Sequence, residues 1–370
     1  MEFVKCSKDT FLNPLQVVSG IVERRHTLPV LANVLIRKEG QQVTLTSTDI
    51  EIQIKTSLTV EGEAQSVQTT ANAKKLLDIL KSLPDGKDVS LKLADAKIAI
   101  SSGKSKFNLQ TLPATDFPEM TLSGSFSKKL TLKQKAFKEL LNKTNYAMAV
   151  QDIRYYLNGM LMILEAQNIS VVATDGHRLA FASELVEEDL GEKTEVILPR
   201  KTVMELQRLL QDSDESITIE IGANQIRFSF SDIELTSKLV EGKFPDYKKV
   251  IPNDYTNQVS IDRVAYQQAL QRVSILSNEK IRGVRCLIEA DALKVSSTNA
   301  DQENAQEELD ITYSGEPLDI GFNVLYLLDV LGNQKTENIL LNFGVDASKS
   351  VLITVKEDPS FKYVVMPMRI

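Results

Sequence analysis

The chain has no tryptophan, only two cysteines and only two histidines in 370 residues. Cys6 and Cys286 lie far apart and no CxxC occurs, so neither a disulfide framework nor a zinc site is expected. A reducing cytoplasm fits that cysteine usage. A metal centre needs three or four converging ligands, and His26 and His177 belong to separate parts of the chain. No cofactor is expected. The patterns GxxxxGK[ST], GxSxG and HExxH are all missing, which leaves little support for an enzyme. No apolar run reaches the roughly 18 residues of a membrane span, so no membrane association is expected. The opening residues MEFVKCSKDTF carry acidic Glu2 and no apolar core, which argues against a signal peptide. The net charge of −7 implies no general affinity for nucleic acid or anionic membrane, although a total does not say how charge is distributed.

What is present is a soluble, globular composition, 42% apolar and 25% charged, at a length that suggests two or three domains. Its organising feature is Val171–Leu179 (VVATDGHRL), because that stretch is the middle copy of three. Val43–Ile54 (VTLTSTDIEIQI) precedes it and Leu293–Ala300 (LKVSSTNA) follows. Asp49, Asp175 and Asn299 are separated by steps of 126 and 124 residues. A long fixed period sets the architecture of a chain. Phe11, Phe137 and Tyr266 keep the same period, as do Pro118, Pro245 and Pro367.

Each copy reads as a strand and a helix, further strands, a second helix and closing strands. Apolar residues at helical spacing place first helices near Lys8–Val22, Lys133–Asn145 and Arg263–Val273. Second helices are expected at Ala73–Ser82, Pro199–Leu210 and Asn323–Asn333, with Pro199 in a first turn. Ser7 and Asp262 are expected N-caps. Val43–Ile54, Ser170–Ser183 and the tail Tyr363–Ile370 read as strands. The unit is two helices and about eight strands on antiparallel sheet, an α+β class. Boundaries fall in polar stretches and give copies at 1–124, 128–253 and 254–370.

Charge sorts by element. The helical windows 8–25, 73–82, 133–145, 199–210, 262–273 and 323–335 hold about 16 basic against about 7 acidic residues, so the remainder is strongly acidic. Lys74, Lys75, Lys133, Lys138, Arg200, Lys201 and Arg208 belong to this set. If the helices share one side, that side can follow a phosphate backbone without reading bases. The plainer alternative is that Lys and Arg form helices well and cover solvated faces. Asp175-Gly176-His177-Arg178 admits a metal or phosphate-ester site, but the other copies put Glu51 or Asp301 where His177 stands. A structural or binding role is favoured. Gln151–Tyr156 (QDIRYY) either projects Tyr and Arg towards phosphate or plugs a domain edge with its tyrosine pair.

Thr27-Leu28-Pro29, Gln151–Met160 (QDIRYYLNGM), Ala173–Leu179, Ser237–Tyr247 (SKLVEGKFPDY), Ser277–Arg285 (SNEKIRGVR), Gly321–Leu331 (GFNVLYLLDVL) and Tyr363–Arg369 (YVVMPMR) carry a resemblance. Over its whole length the chain resembles the bacterial sliding clamps, the beta subunits of DNA polymerase III. The resemblance implies three tandem DNA-clamp domains. It also implies a head-to-tail homodimer closed into a pseudo-sixfold ring around double-stranded DNA, with helices lining the hole. Such a ring is a non-catalytic processivity factor. Its implied partners are the polymerase III catalytic subunit, the clamp loader, and other polymerases and repair factors that dock through short linear peptides.

By the same resemblance, DNA contacts fall on Arg25, Gln151, Tyr155 and Tyr156. The peptide pocket falls on Leu157, Thr174, Gly176, His177, Arg178, Leu179, Pro245, Val250, Asn323, Tyr326, Val364, Met366, Pro367, Met368 and Arg369. The ring interface sets Lys75, Phe107 and Leu109 against Ile275 and Leu276. Lys104 and Lys106 face Glu303, Glu307 and Glu308, a pairing that charge alone supports. The chain departs from the family pattern at Lys249, Ile281, Asn304, Gln306 and Ile370.

Overall fold

The computed structural model describes residues 2–23, 28–61, 65–121, 126–252, 255–344 and 346–370. One element order is used three times. The first copy runs β1 (Glu2–Ser7), α1 (Lys8–Ser19), β2 (Asn33–Gly40), β3 (Gln42–Thr48), β4 (Ile52–Thr59), β5 (Gln65–Asn72), α2 (Ala73–Ser82), β6 (Asp88–Ala94), β7 (Lys97–Ser102) and β8 (Ser105–Gln110). The second runs β9 (Lys128–Lys133), α3 (Gln134–Thr144), β10 (Gly159–Glu165), β11 (Asn168–Thr174), β12 (Arg178–Leu185), β13 (Thr194–Pro199), α4 (Arg200–Leu209), β14 (Ser216–Ile221), β15 (Gln225–Phe230) and β16 (Ile233–Lys238). The third runs β17 (Asn257–Asp262), α5 (Arg263–Ser274), β18 (Gly283–Glu289), β19 (Ala292–Thr298), β20 (Asn304–Asp310), β21 (Leu318–Asn323), α6 (Val324–Asn333), β22 (Asn338–Phe343), β23 (Val351–Val355) and β24 (Asp358–Val365).

Local chemistry explains the helices. Phe11, Leu12, Leu15 and Val18 fall on one face of α1 and are buried. The Ser7 side chain accepts from the Thr10 amide at 3.2 Å, and Asp262 does the same for Ala265 at 2.6 Å in α5. Phe11, Phe137 and Tyr266, the periodic aromatics, are each fully buried.

Four expectations are corrected. Val43–Ile54 and Ser170–Ser183 are not single strands, because a turn at Asp49 and at Asp175 breaks each into a hairpin. Pro199 ends β13 opposite Gly159 instead of opening a helix. The final strand stops at Val365, and the tail beyond it makes only an isolated bridge between Met368 and Gly321. The strands β5, β13 and β21 before each second helix went unread.

Two compact units form. One comprises Met1–Lys135 with Arg208–Leu239, the other Ala136–Gln207 with Val240–Ile370. The first holds an eight-stranded sheet, β5-β2-β3-β4-β16-β15-β14-β9, and a four-stranded one, β1-β6-β7-β8. The second holds β13-β10-β11-β12-β24-β23-β22-β17 and β20-β19-β18-β21. Both eight-stranded sheets are sutured the same way. The third strand-hairpin partner of one copy pairs with the last strand of the next, β4 with β16 and β12 with β24. The middle copy therefore contributes to both units.

Candidate peptide-binding cleft and nucleic-acid surface

The thrice-repeated polar residue is a turn former. Asp49 Oδ1 accepts from the amides of Glu51 and Ile52, both at 2.9 Å. Asp175 Oδ1 accepts from His177 and Arg178 at 2.9 and 3.1 Å. Asn299 Oδ1 accepts from Asp301 and Glu303 at 3.0 and 2.9 Å. A short acceptor that bonds its own following amides satisfies the turn locally. Ser47 and Ser297, two residues earlier in the outer copies, bond the carbonyls of Val18 and Val273 in the first helix of their copy.

The middle turn carries more. Asp175 Oδ2 also accepts from Arg178 Nε at 3.1 Å. Arg178 Nη1 reaches Asp329 at 2.5 Å, Nη2 reaches the Tyr146 carbonyl at 2.5 Å, and the guanidinium lies 4.4 Å from the Tyr326 ring centroid. Burial alone would depress this guanidinium, but Tyr363, Asp329 and Asp175 more than offset it, and its pKa lies above the ordinary value. Its charge is spent inside the protein, so Arg178 is a fixed wall and not a free cation.

That wall bounds a cleft of about 170 Å³ in the second unit. Leu157, Thr174, Gly176, Arg178, Leu179, Pro245, Val250, Val364 and Met366 line it, joined by Arg154 and Tyr247. Leu179 and Val364 are cross-strand partners on β12 and β24, and both are buried. They belong to a core cluster with Leu157, Phe244 and Tyr247, so the cleft is an opening onto packed apolar core. Gly176 sits at φ +89°, and a side chain there would meet the Arg154 guanidinium at about 3.0 Å. Arg154 lies across the glycine, held by Asp152 at 2.8 Å and by the Asp175 carbonyl at 3.1 Å. The hydrogen bonds from Arg154 hold the Asp152 carboxyl down at about 2.

The remaining expected pocket residues lie outside this cleft. His177 is exposed, and its carbonyl accepts from Met366. Asn323 caps α6 through the Leu325 amide. Tyr326 stands behind the cleft wall under Arg178. Pro367, Met368 and Arg369 line a separate concavity over β18, β19 and β21. Arg154 and Tyr247 went unassigned although each sits in a motif that carried the resemblance. An arginine in a polar loop gives no sign of the glycine it will cover.

Among the expected DNA-contact residues, Arg25 lies outside the described residues. Gln151 is exposed at φ +56°, and Tyr155 is 57% exposed. Tyr156 packs edge-on to Tyr155 and against the core cluster, so the pair divides between surface and core. The helical basic set is partly spent internally. Lys8 is buried on Asp85 and the Leu83 carbonyl, Lys143 pairs with Asp358, and Arg272 pairs with Glu307. Lys74, Lys75, Lys81 and Lys135 are exposed. Of the expected interface residues, Lys106, Phe107 and Leu109 lie on β8 and Glu307 and Glu308 on β20, with Lys104 in the turn before β8. Lys75 is exposed in α2, Ile275 is 78% exposed and Leu276 half-buried after α5, and Glu303 accepts from Asn299.

Three tandem α+β copies with shared sheets and an apolar cleft define a repeat-built protein of the DNA-clamp class. Among the described residues no cluster suited to a metal ion occurs, and no helix is long and apolar enough to cross a membrane. Sequence families agree copy by copy. The DNA polymerase III beta subunit N-terminal domain matches residues 1–121, the central domain 131–246 and the C-terminal domain 248–369. The chain is 44% identical to the beta sliding clamp of Pseudomonas putida and 42% identical to that of Escherichia coli K12, covering 98% of each chain in both cases. The DnaN sliding clamp of Pseudomonas aeruginosa bound to griselimycin superposes with a TM-score of 0.96 at 42% identity, covering 100% of both chains. The griselimycin-bound clamp of Bartonella birtlesii gives 0.95 at 38% identity over 99% of both. The chain belongs to the DNA polymerase III beta subunit family. It is a sliding clamp, a non-catalytic processivity factor of DNA replication.

Proposed function

We propose that two copies of this chain close head-to-tail into a ring around duplex DNA, and that the ring tethers the replicative polymerase. The supporting observation is an incomplete repeat. In each eight-stranded sheet the last strand of one copy pairs with the third strand-hairpin partner of another, as β16 with β4 and β24 with β12. The equivalent strands β8 and β20 are left as terminal strands of four-stranded sheets. An unpaired edge is a template for another strand. Pairing β8 of one copy with β20 of a second completes the pattern and abolishes both edges. The charges agree, with Lys104 and Lys106 meeting Glu303, Glu307 and Glu308, and Lys75, Phe107 and Leu109 meeting Ile275 and Leu276.

Copies at 1–124, 128–253 and 254–370 are the three clamp domains of this reading. Gln151, Tyr155, Tyr156 and Arg25 touch the DNA backbone, and the exposed helical lysines follow it without register. The cleft receives short apolar peptide segments of the polymerase, the clamp loader and repair factors. Clamps that bind griselimycin, at 42% and 38% identity to this chain, support a peptide-like occupant. Two free cysteines fit a cytoplasmic setting.

The test is retention on a circle. The protein is loaded onto nicked circular DNA by a clamp loader, washed in high salt, and the circle is then cut once. Release only on cutting supports encirclement. If salt alone strips the protein, binding is surface electrostatics and the ring reading fails.

A further inference from the structure

The tail after β24 is pinned twice within the second unit. The Met366 amide donates to the His177 carbonyl at 2.9 Å, and the Met368 amide donates to the Gly321 carbonyl at 2.8 Å. Pro367, between them, has no amide to donate. The first pin places Met366 in the cleft wall. The second rests on an unusual floor. A Cβ at Gly321 would lie 2.5 Å from the Met368 carbonyl oxygen and 2.6 Å from the Ile370 side chain. Gly283 lies on the neighbouring strand β18, and its Cβ position is 3.4 Å from the same Ile370 side chain. Glycine inside a strand weakens it and marks a place where other backbone approaches closely. Here Gly321 clears a seat on β21, and the chain's last residues occupy it, with Gly283 on β18 at ordinary contact distance.

We infer that Gly321 is a positioning residue for the cleft: its missing side chain seats the C-terminal strap and thereby fixes Met366 against the occupant. The inference rests on the reading of the cleft as a peptide site. Gly321 lies in the GFNVLYLLDVL motif, yet it neither lines the cleft nor touches what would fill it. Its φ is not in the left-handed region, so alanine is compatible with the local backbone. The conflict falls on the strap alone. Ile370 is 70% exposed and Met366 43% exposed, so lifting the strap is cheaper than moving the sheet beneath it. Seating and occupancy are then linked, and each favours the other equally.

The experiment compares full-length wild type, Gly321→Ala and Gly283→Ala, with griselimycin as the probe. Binding is read by calorimetry. Seating is read without ligand, from methyl NMR of Met366 and Met368 and from the rate at which carboxypeptidase releases Ile370. If G321A leaves the strap seated about a tenth of the time, affinity falls about tenfold. Ile370 release accelerates and both methyl signals shift towards unstructured values, while the rest of the fold is retained. G283A, whose added carbon makes an ordinary contact, binds like wild type, and griselimycin slows Ile370 release from wild type. Equal affinity of G321A and wild type overturns the inference and leaves the cleft reading intact. So does weaker binding by G321A without a change in strap signals. A wild type that does not bind griselimycin overturns the cleft reading, and the linkage falls with it. If G321A does not fold, deletion of residues 368–370 serves in its place, since it empties the seat of Met368 and Ile370 without touching the sheet, and unchanged binding then overturns the inference.

Discussion

At the scale of single residues, Asp175 differs from its counterpart Asn299, whose amide donates to Glu303, in the charge that its third contact holds. Both bond two following amides, but Asp175 also holds the nearly buried Arg178. Asp175→Ala should raise local opening of the β11–β12 hairpin by about 2–3 kcal/mol, since it removes a charged partner from a buried guanidinium. Asp175→Asn keeps Oδ1 for the turn and should cost about 1 kcal/mol. Amide exchange of the hairpin measures both. Equal effects would show that the charge on Asp175 contributes nothing. The Asp152 carboxyl offers a pH test. It is lowered from the ordinary 3.8 to about 2 by its hydrogen bonds from Arg154. A depressed carboxylate keeps its contact fully above the unfolded value and loses it as pH falls through the folded one. The Arg154 side chain should therefore stay over Gly176 at pH 4 and release near pH 2. A carboxyl NMR titration of Asp152 with a midpoint near 4 would contradict this.

At the scale of elements, the two terminal strands matter most. β8 (SKFNLQ) exposes Lys106, Asn108 and Gln110 and half-buries Phe107 and Leu109, an alternation that presents one polar and one apolar face. β20 (NAQEELD) alternates in the same way with Glu308 exposed. Edge strands in solution are protected by charge or by pairing, and here the charges are opposite. Lys106→Glu or Glu308→Lys alone should weaken self-association about tenfold, and the double reversal should restore most of it. Sedimentation equilibrium reads this directly. Glu307 is a poorer target because Arg272 of the same chain already holds it at 2.7 Å.

At the scale of the whole molecule, the sequence copies and the compact units do not coincide. The central family match at 131–246 reads as a domain, yet its strands β12 and β16 complete sheets of the two different units. A fragment of residues 126–252 loses β24 from one and β4 from the other. It should expose two apolar edges and self-associate, whereas the full chain stays soluble at the same concentration. A monodisperse, folded fragment in light scattering and amide-resolved NMR would show that the copy is self-sufficient.

Some interactions reaching only a few residues were readable from the chain alone. The period of Asp49, Asp175 and Asn299 was legible, although the turns that they make with amides two to four positions on were not. Phe11, Phe137 and Tyr266 are buried wherever their helices pack, because helical spacing defines an apolar face before anything covers it. The same locality misled where a turn interrupts a run of strand formers, as at Asp49 and Asp175. The rest was decided in three dimensions. Nothing beside Leu179 announces Val364 as its cross-strand partner, since an apolar strand residue looks the same against any partner. Lys8 counted as a basic surface residue until Asp85 and the Leu83 carbonyl came to meet it. Pro367, Met368 and Arg369 follow Met366 in the chain yet line a separate concavity over β18, β19 and β21, a placement that only the fold makes. Sequence determined the helices and the count of copies. Tertiary structure decided which strands meet and what the cleft contains, because both depend on contacts between residues distant in the chain.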